Sequence, residues 1–206
     1  MPGFQTLTAV AAPIVTDDVD TDQIFPSRFT SKNRADGMFG TYFLHDQRFD
    51  ESGAPRADCI LNDERLKDAN IIVAAANYAC GSARPGAIYS HLDYGIRAVI
   101  AESFGPVFPT VAFKSGLLTI QLPKDAVQAI RGQLLRNVGA EVSIDVAHQV
   151  VAAPDGTRYP FEIDHFAKRM FIEGVSEIDL TLGLVDKIEA FEAEHRAAMP
   201  WLRNSR

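Results

Sequence analysis

With 206 residues, 47% apolar content and a formal charge of −7, the chain is long enough to bury a core of its own and reads as one domain over 1–206. The acidic balance argues against a nucleic-acid or anionic-membrane surface, because neutralising phosphates takes clustered Lys and Arg, and these are scattered here. No apolar run approaches the roughly 20 residues of a bilayer span, and the first residues run into strand-like sequence without a leader pattern, so a cytoplasmic protein is expected.

Alternation over residues 7–15 predicts a first strand, and the acidic, turn-forming run 16–22 follows it. Residues 26–56 lack periodicity and are rich in Ser, Gly, Asn, Asp and Arg. A stretch of that length reads as a mobile lid, a binding loop or a partner surface, and as a poor source of core residues. Its aromatic patch at 38–44 is a candidate partner surface. From 70 to 122 the pattern becomes strand (70–76), helix (84–94), strand (97–102), helix (106–115) and strand (117–122), with Gly95 and Gly116 closing the two helices. Near-continuous apolar strands alternating with helices of this length predict parallel pairing, the helices packed on the sheet. A further helix is expected over 124–138, then short strands at 141–145, 149–153 and 158–163 with a hairpin at Pro154-Asp155-Gly156-Thr157. Asp164 is placed to cap a helix that ends at Gly174, and 184–198 repeats Val185, Ile188 and Phe191 at helical spacing as a terminal amphipathic helix, a second candidate partner surface.

The strand-to-helix turn at 77–84 is the leading chemical feature. Such a turn aims backbone N–H groups and the positive end of a helix dipole at one point, and Arg84 adds a planar fork that meets a carboxylate with two parallel hydrogen bonds. Ser82 becomes a usable base where positive charge stabilises its alkoxide; the other reading of the same spacing is that Ser82 only caps the helix and Arg84 faces water. In Asp20-Thr21-Asp22, a carboxylate such as Asp22 held near Arg84 would align the guanidinium, and Thr21 would donate to a substrate oxygen; taken alone the run is an Asx-rich turn. Arg28, Lys32 and Arg34 lie downstream on the irregular loop, where one of them would complete the receptor if the loop folds over it. Cys80 on a strand-to-helix turn raises the competing reading of a cysteine nucleophile, although none of the five histidines shows a local signature pairing it with that thiol. Two cysteines without Cys-x-x-Cys or His-x-x-x-His spacing predict no disulfide framework and no metal held by this chain.

Assembled, these stretches resemble the small subunits of 3-isopropylmalate dehydratases, leucine-biosynthesis isomerases of the aconitase superfamily. The resemblance runs through Asp18-Val19-Asp20-Thr21-Asp22-Gln23-Ile24, Asn77-Tyr78-Ala79-Cys80-Gly81-Ser82 with Arg84, the segment 93–104, Phe161-Glu162-Ile163-Asp164-His165-Phe166 and Asp179-Leu180-Thr181-Leu182, in that order over nearly the whole chain. It implies an α/β fold, the swivelling β/β/α domain of the aconitase fourth-domain type. It also implies a two-chain hydro-lyase, a heterodimer or heterotetramer, whose iron–sulfur cluster sits in a separate large subunit, so that no cofactor is bound by this chain. By the same resemblance Ser82 is the catalytic alkoxide that removes and returns a carbon-bound proton. Arg84 binds a substrate carboxylate, Asp22 is the aspartate of the early motif with Thr21 beside it, and Arg34 lies near the place of a second substrate-binding arginine.

The chain departs from the family loop Gly-Ser-Ser-Arg-Glu-His-Ala, reading Gly81-Ser82-Ala83-Arg84-Pro85-Gly86-Ala87. Ala83 has no hydroxyl to offer, which leaves its backbone N–H as the only substrate contact there, and a polar pair is lost from the first helical turn. Three functions remain open at this stage: the isopropylmalate enzyme or a related dehydratase for another 2-hydroxy diacid such as an alkylmalate or a methylated malate or maleate; a non-catalytic anion-binding module; and a cysteine-nucleophile hydrolase.

Overall fold

The computed structural model describes residues 3–82 and 84–203. Seven strands form one sheet in the order β4-β3-β2-β1-β5-β6-β7. They are β1 (Thr6–Pro13), β2 (Ile71–Ala74), β3 (Ala98–Ala101), β4 (Leu118–Gln121), β5 (Glu141–Asp145), β6 (Val150–Ala152) and β7 (Arg158–Pro160). In chain order the helices are α1 (Thr21–Ile24), α2 (Phe39–Tyr42), α3 (His45–Arg48), α4 (Pro85–Tyr94), α5 (Phe108–Ser115), α6 (Lys124–Arg136), α7 (His165–Glu173), α8 (Glu177–Leu182) and α9 (Val185–Ala198).

The expected parallel unit is present: β1, β2, β3 and β4 run parallel, with Ala11 opposite Ile71, Ile71 opposite Ala98 and Ala98 opposite Leu118. The other three strands are antiparallel. β1 belongs to both halves by using different stretches of its length: Thr6–Val10 lie against Asp145–Glu141 of β5, and Ala11–Pro13 against Ile71–Val73 of β2. The sheet therefore changes partner and direction within a single strand.

Period-2 alternation divides the core between two faces. On one, Ala12, Ile72, Ala74, Val99 and Ala101 pack with Ile88 of α4 and Phe108 and Ala112 of α5. On the other, Ala11, Ile71, Val73, Ile100 and Ile120 pack with Val127, Ile130 and Leu134 of α6, and with Val142, Val151, Phe161 and Phe171. Gly95 and Gly116 end α4 and α5 in the left-handed conformation, and Asp164 caps α7 through the N–H groups of Phe166 and Ala167, as the sequence predicts. The hairpin closes through Ala153 N–H to Thr157 O at 2.8 Å.

Residues 26–56 correct the expectation. They are not an open loop: they fold into short turns that bring Phe39, Phe43 and Leu44 into the core. Phe25 stacks on Phe39 at 5.0 Å, Phe29 on Tyr42 at 4.1 Å, and Phe43 lies 5.0 Å from Tyr94 of α4. The 38–44 patch is thus mostly an inner face rather than a free partner surface, with Met38 left outside. Helices of four residues leave no periodic trace in a sequence, which is why the segment read as irregular.

Candidate functional site

The parallel pairing of β1 and β2 brings their carboxyl ends side by side, and the two following loops meet there. The acidic run stitches them together. Asp17 Oδ1 accepts from Ala76 N–H at 2.9 Å, Asp18 N–H donates to Ala76 O at 3.0 Å, and Asp18 Oδ1 accepts from Asn77 Nδ2 at 2.7 Å. Thr21 N–H donates to Cys80 O at 2.9 Å. The loop after β3 holds the other flank: Ser103 Oγ accepts from Asn77 N–H at 2.8 Å, and Tyr78 N–H donates to Ser103 O at 3.0 Å. Asp17 and Asp18 are exposed, as residues of an acidic turn should be, and their carboxylates also staple the two loops together.

This clamping holds the loop in an uncommon shape. Asn77 and Ala79 have φ of 54° and 56°, and Gly81 has φ of 89°. Residues with a side chain enter that region at a cost, so the surrounding hydrogen bonds must fix them there. At Gly81 a side chain is also excluded by space, since a Cβ would lie 2.5 Å from Asp20 Oδ2. Asp20 is itself occupied in capping α1, its Oδ1 accepting from Asp22 N–H at 2.6 Å.

Ser82, Arg84 and Asp22 converge at the mouth of α4. Arg84 is the N-cap residue with extended backbone (φ −66°, ψ 138°), and Pro85 opens the helix. Its Nε donates to Ser82 Oγ at 3.2 Å, and its Nη1 lies 2.7 Å from Asp22 Oδ1. Ser82 therefore accepts a hydrogen bond from the guanidinium and does not cap the helix; among the described residues no side chain caps α4. Ser82 is exposed, and the side chain of Arg84 keeps 36% of its surface open to solvent. Thr21 beside them is fully buried, with an Oγ1 that has no hydrogen-bond partner among the described residues. Such an orphan is costly by about 1–3 kcal/mol until another polar atom reaches it. Ala83 lies outside the described residues.

Arg34 is not brought to this group. Its Nε and Nη2 bind Asp93 Oδ2 and Oδ1 at 2.8 and 2.6 Å, and its guanidinium lies 4.2 Å from the centroid of Tyr89. Both partners are on the later turns of α4, and the ion pair holds the Arg34 charge above its usual pKa, chiefly through the hydrogen bond to Asp93. Arg28 is likewise paired with Asp46.

Burial, then the carboxylates of Asp20 and Asp18, pushes the Cys80 thiol above its ordinary pKa, the opposite of what a nucleophile needs. No described contact joins a histidine to it. His91 is fully buried in α4, its Nδ1 2.6 Å from Ala87 O and its Nε2 2.8 Å from Tyr78 Oη. A carbonyl can only accept, so Nδ1 carries the proton and Nε2 accepts from the tyrosine, a neutral ring with no free atom for acid–base work. Among the described residues no group of three or more His, Cys, Asp or Glu is placed to hold a metal, and Cys59 and Cys80 are both free thiols. No described helix is long and apolar enough to cross a membrane.

The chain matches known proteins over nearly its whole length. Residues 1–125 match the family profile of the aconitase C-terminal domain, residues 129–165 the LeuD_N profile, and residues 177–205 the C-terminal domain profile of the 3-isopropylmalate dehydratase small subunit. The chain is 40% identical over 202 residues to the protein named 3-isopropylmalate dehydratase small subunit 2 of Bordetella parapertussis, covering 98% of this chain and 100% of that one. It is 40% identical, over the same shares, to the 3-isopropylmalate dehydratase small subunit of Paramagnetospirillum magneticum. Among solved structures it is similar to 3-isopropylmalate dehydratase (leuD) from Methanocaldococcus jannaschii, with a TM-score of 0.62 at 21% identity over 92% of this chain and 99% of that one, which supports the fold.

Proposed function

This chain belongs to the family of 3-isopropylmalate dehydratase small subunits, and we propose that it forms half of a two-chain hydro-lyase that interconverts 2- and 3-isopropylmalate by dehydration and rehydration. The observation that carries the reading is the contact of Arg84 Nε with Ser82 Oγ at 3.2 Å on a guanidinium anchored by Asp22 at 2.7 Å. A fixed positive charge against a serine oxygen favours its alkoxide, and the same fork presents N–H groups to a substrate carboxylate.

In the dehydration direction Ser82 Oγ takes the proton from the carbon next to the carbinol carbon. The electron pair of that C–H bond becomes the new double bond, and the neighbouring carbon releases its hydroxyl as hydroxide, which carries away the C–O electron pair. Ser82, now protonated, returns the proton in the hydration step. Arg84 holds one carboxylate through both half-reactions; the Thr21 hydroxyl, fully buried beside them, does not face the open mouth where that carboxylate would sit. We assign the family's iron–sulfur cluster to the large subunit, where it would act as a Lewis acid towards the departing hydroxyl; this chain has two cysteines, too few to hold such a cluster by thiolates alone. Ser82 and Arg84 stand open at the surface, as half of a site completed by a second chain should.

The test is Ser82→Ala in the assembled two-subunit enzyme. Turnover is expected to fall by roughly 10²–10⁴-fold with the affinity between the two chains unchanged. Unaltered turnover would remove the catalytic role. A related diacid is the second reading, favoured by Gly86: a Cβ there would meet the Phe25 ring at 2.6 Å, so the ring occupies space that a larger residue would take at the mouth of α4. Relative kcat/KM for isopropylmalate and shorter alkylmalates, measured in the same complex, decides between them.

A further inference from the structure

We propose that residues 177–202 form an arm by which this chain grips the large subunit, its apolar stripe lying in an apolar groove with a basic rim. The inference rests on the two-chain reading above and adds where the chains join. No residue of α8 or α9 is buried, and a single described ion pair, Lys114 Nζ to Glu177 Oε1 at 3.2 Å, ties the root of the arm to α5. The arm is well formed nonetheless: Ser176 and Asp179 make a reciprocal capping box at the start of α8, and α9 runs for 14 residues.

Its exposed residues are the wrong kind for a solvated tail. Ile178, Phe191 and Trp201 keep 70%, 65% and 71% of their surface open, and Leu182, Leu184, Ile188 and Leu202 are exposed with them. Along α9 and the residue before it, Leu184, Ile188, Phe191 and His195 recur at the spacing of one helical stripe. Summed, these side chains expose on the order of 800 Å², comparable with one side of a standard interface.

Charge selects the occupant. Residues 177–202 hold six acidic side chains (Glu177, Asp179, Asp186, Glu189, Glu192, Glu194) against Lys187 and Arg196. A second copy would set this acidic rim against itself, in a chain already at −7, whereas a basic-rimmed groove complements it. The open face of the site needs a partner in any case, and the arm coincides with the separate C-terminal unit of the family's small subunits.

The experiment uses the full chain carrying Phe191→Glu and Trp201→Glu together, titrated with the purified large subunit. The dissociation constant is expected to rise by roughly 100-fold or more, while the melting temperature of the free variant stays within about 2 °C of the parent, because the arm lends nothing to the core. A second variant, Glu192→Lys with Glu194→Lys, is expected to slow association at low salt by roughly tenfold and to weaken its salt dependence. An unchanged dissociation constant for the first variant overturns the proposal. So does a parent chain that dimerises through the arm while its affinity for the large subunit ignores both variants. Failure of the unsubstituted chain to bind the large subunit is a different result: it overturns the two-chain reading, and the arm's role falls with it.

Discussion

Arg84 does two things at once, and lysine can do only one of them. Its Nε reaches Ser82 while its Nη1 reaches Asp22, so the guanidinium plane is fixed at two points before any substrate arrives. Arg84→Lys keeps the charge but replaces a rigid fork with a single flexible ammonium. In the two-subunit enzyme kcat/KM is expected to fall by about 10–100-fold, with a raised KM, in steady-state assays. Asp22→Asn tests the anchor. The ion pair is half exposed, so the expected loss is smaller, about 1 kcal/mol or less in kcat/KM. That Ser82, Arg84 and Asp22 come together was legible in the sequence because two short motifs, each on a loop after a parallel strand, must meet wherever those strands pair; what they do there was implied only by the family resemblance. The place of Arg34 was not legible. Its partners Asp93 and Tyr89 lie more than fifty residues along the chain, on later turns of α4, and no local spacing reports a contact of that kind.

Among the elements, the α/β/α/β run was legible because apolar strands of four residues and Gly-terminated helices carry strong local signals, while 26–56 was opaque because its aromatics pack on residues distant in sequence. The ion pair between Glu102 after β3 and Arg131 of α6 was opaque for the same reason. Arg131 Nη2 lies 2.9 Å from Glu102 Oε1, and its Nη1 donates to Ile14 O at 3.2 Å, so one side chain joins α6 to the ends of two strands. The two side chains are only 11% and 9% exposed. Removing one partner strands the other in low dielectric. Glu102→Ala is expected to cost about 3–5 kcal/mol in urea unfolding, and the double replacement Glu102→Leu with Arg131→Met much less than the sum of the single ones.

For the whole molecule, His91 sets an acid limit. Burial lowers its pKa from the usual 6.5 to about 4, since the neutral ring is bonded at both nitrogens and a charged one would lose solvation. In the unfolded chain the group takes up its proton near 6.5, so the unfolded state binds more protons as pH falls from there to about 4. Stability is therefore complete above that window and declines through it, by about 3 kcal/mol at the acid end. Denaturant titrations at pH 7 and pH 4.5 measure the loss, and His91→Phe is expected to be less stable at pH 7, where Tyr78 loses its acceptor, yet less sensitive to acid. Asp46, held near a pKa of about 2 by Arg28, belongs to a lower range and keeps its charge throughout.

The divided use of β1 has a consequence for how the protein is made. Its second half can pair as soon as Ile71–Val73 leave the ribosome, but Thr6–Val10 wait for Glu141–Asp145, about 70 residues later. At ordinary synthesis rates that is on the order of ten seconds, during which the nascent chain carries an unsealed strand edge beside Leu7 and Ala9. An edge of that kind is a template for wrong pairing, and the exposure ends when β5 closes the sheet.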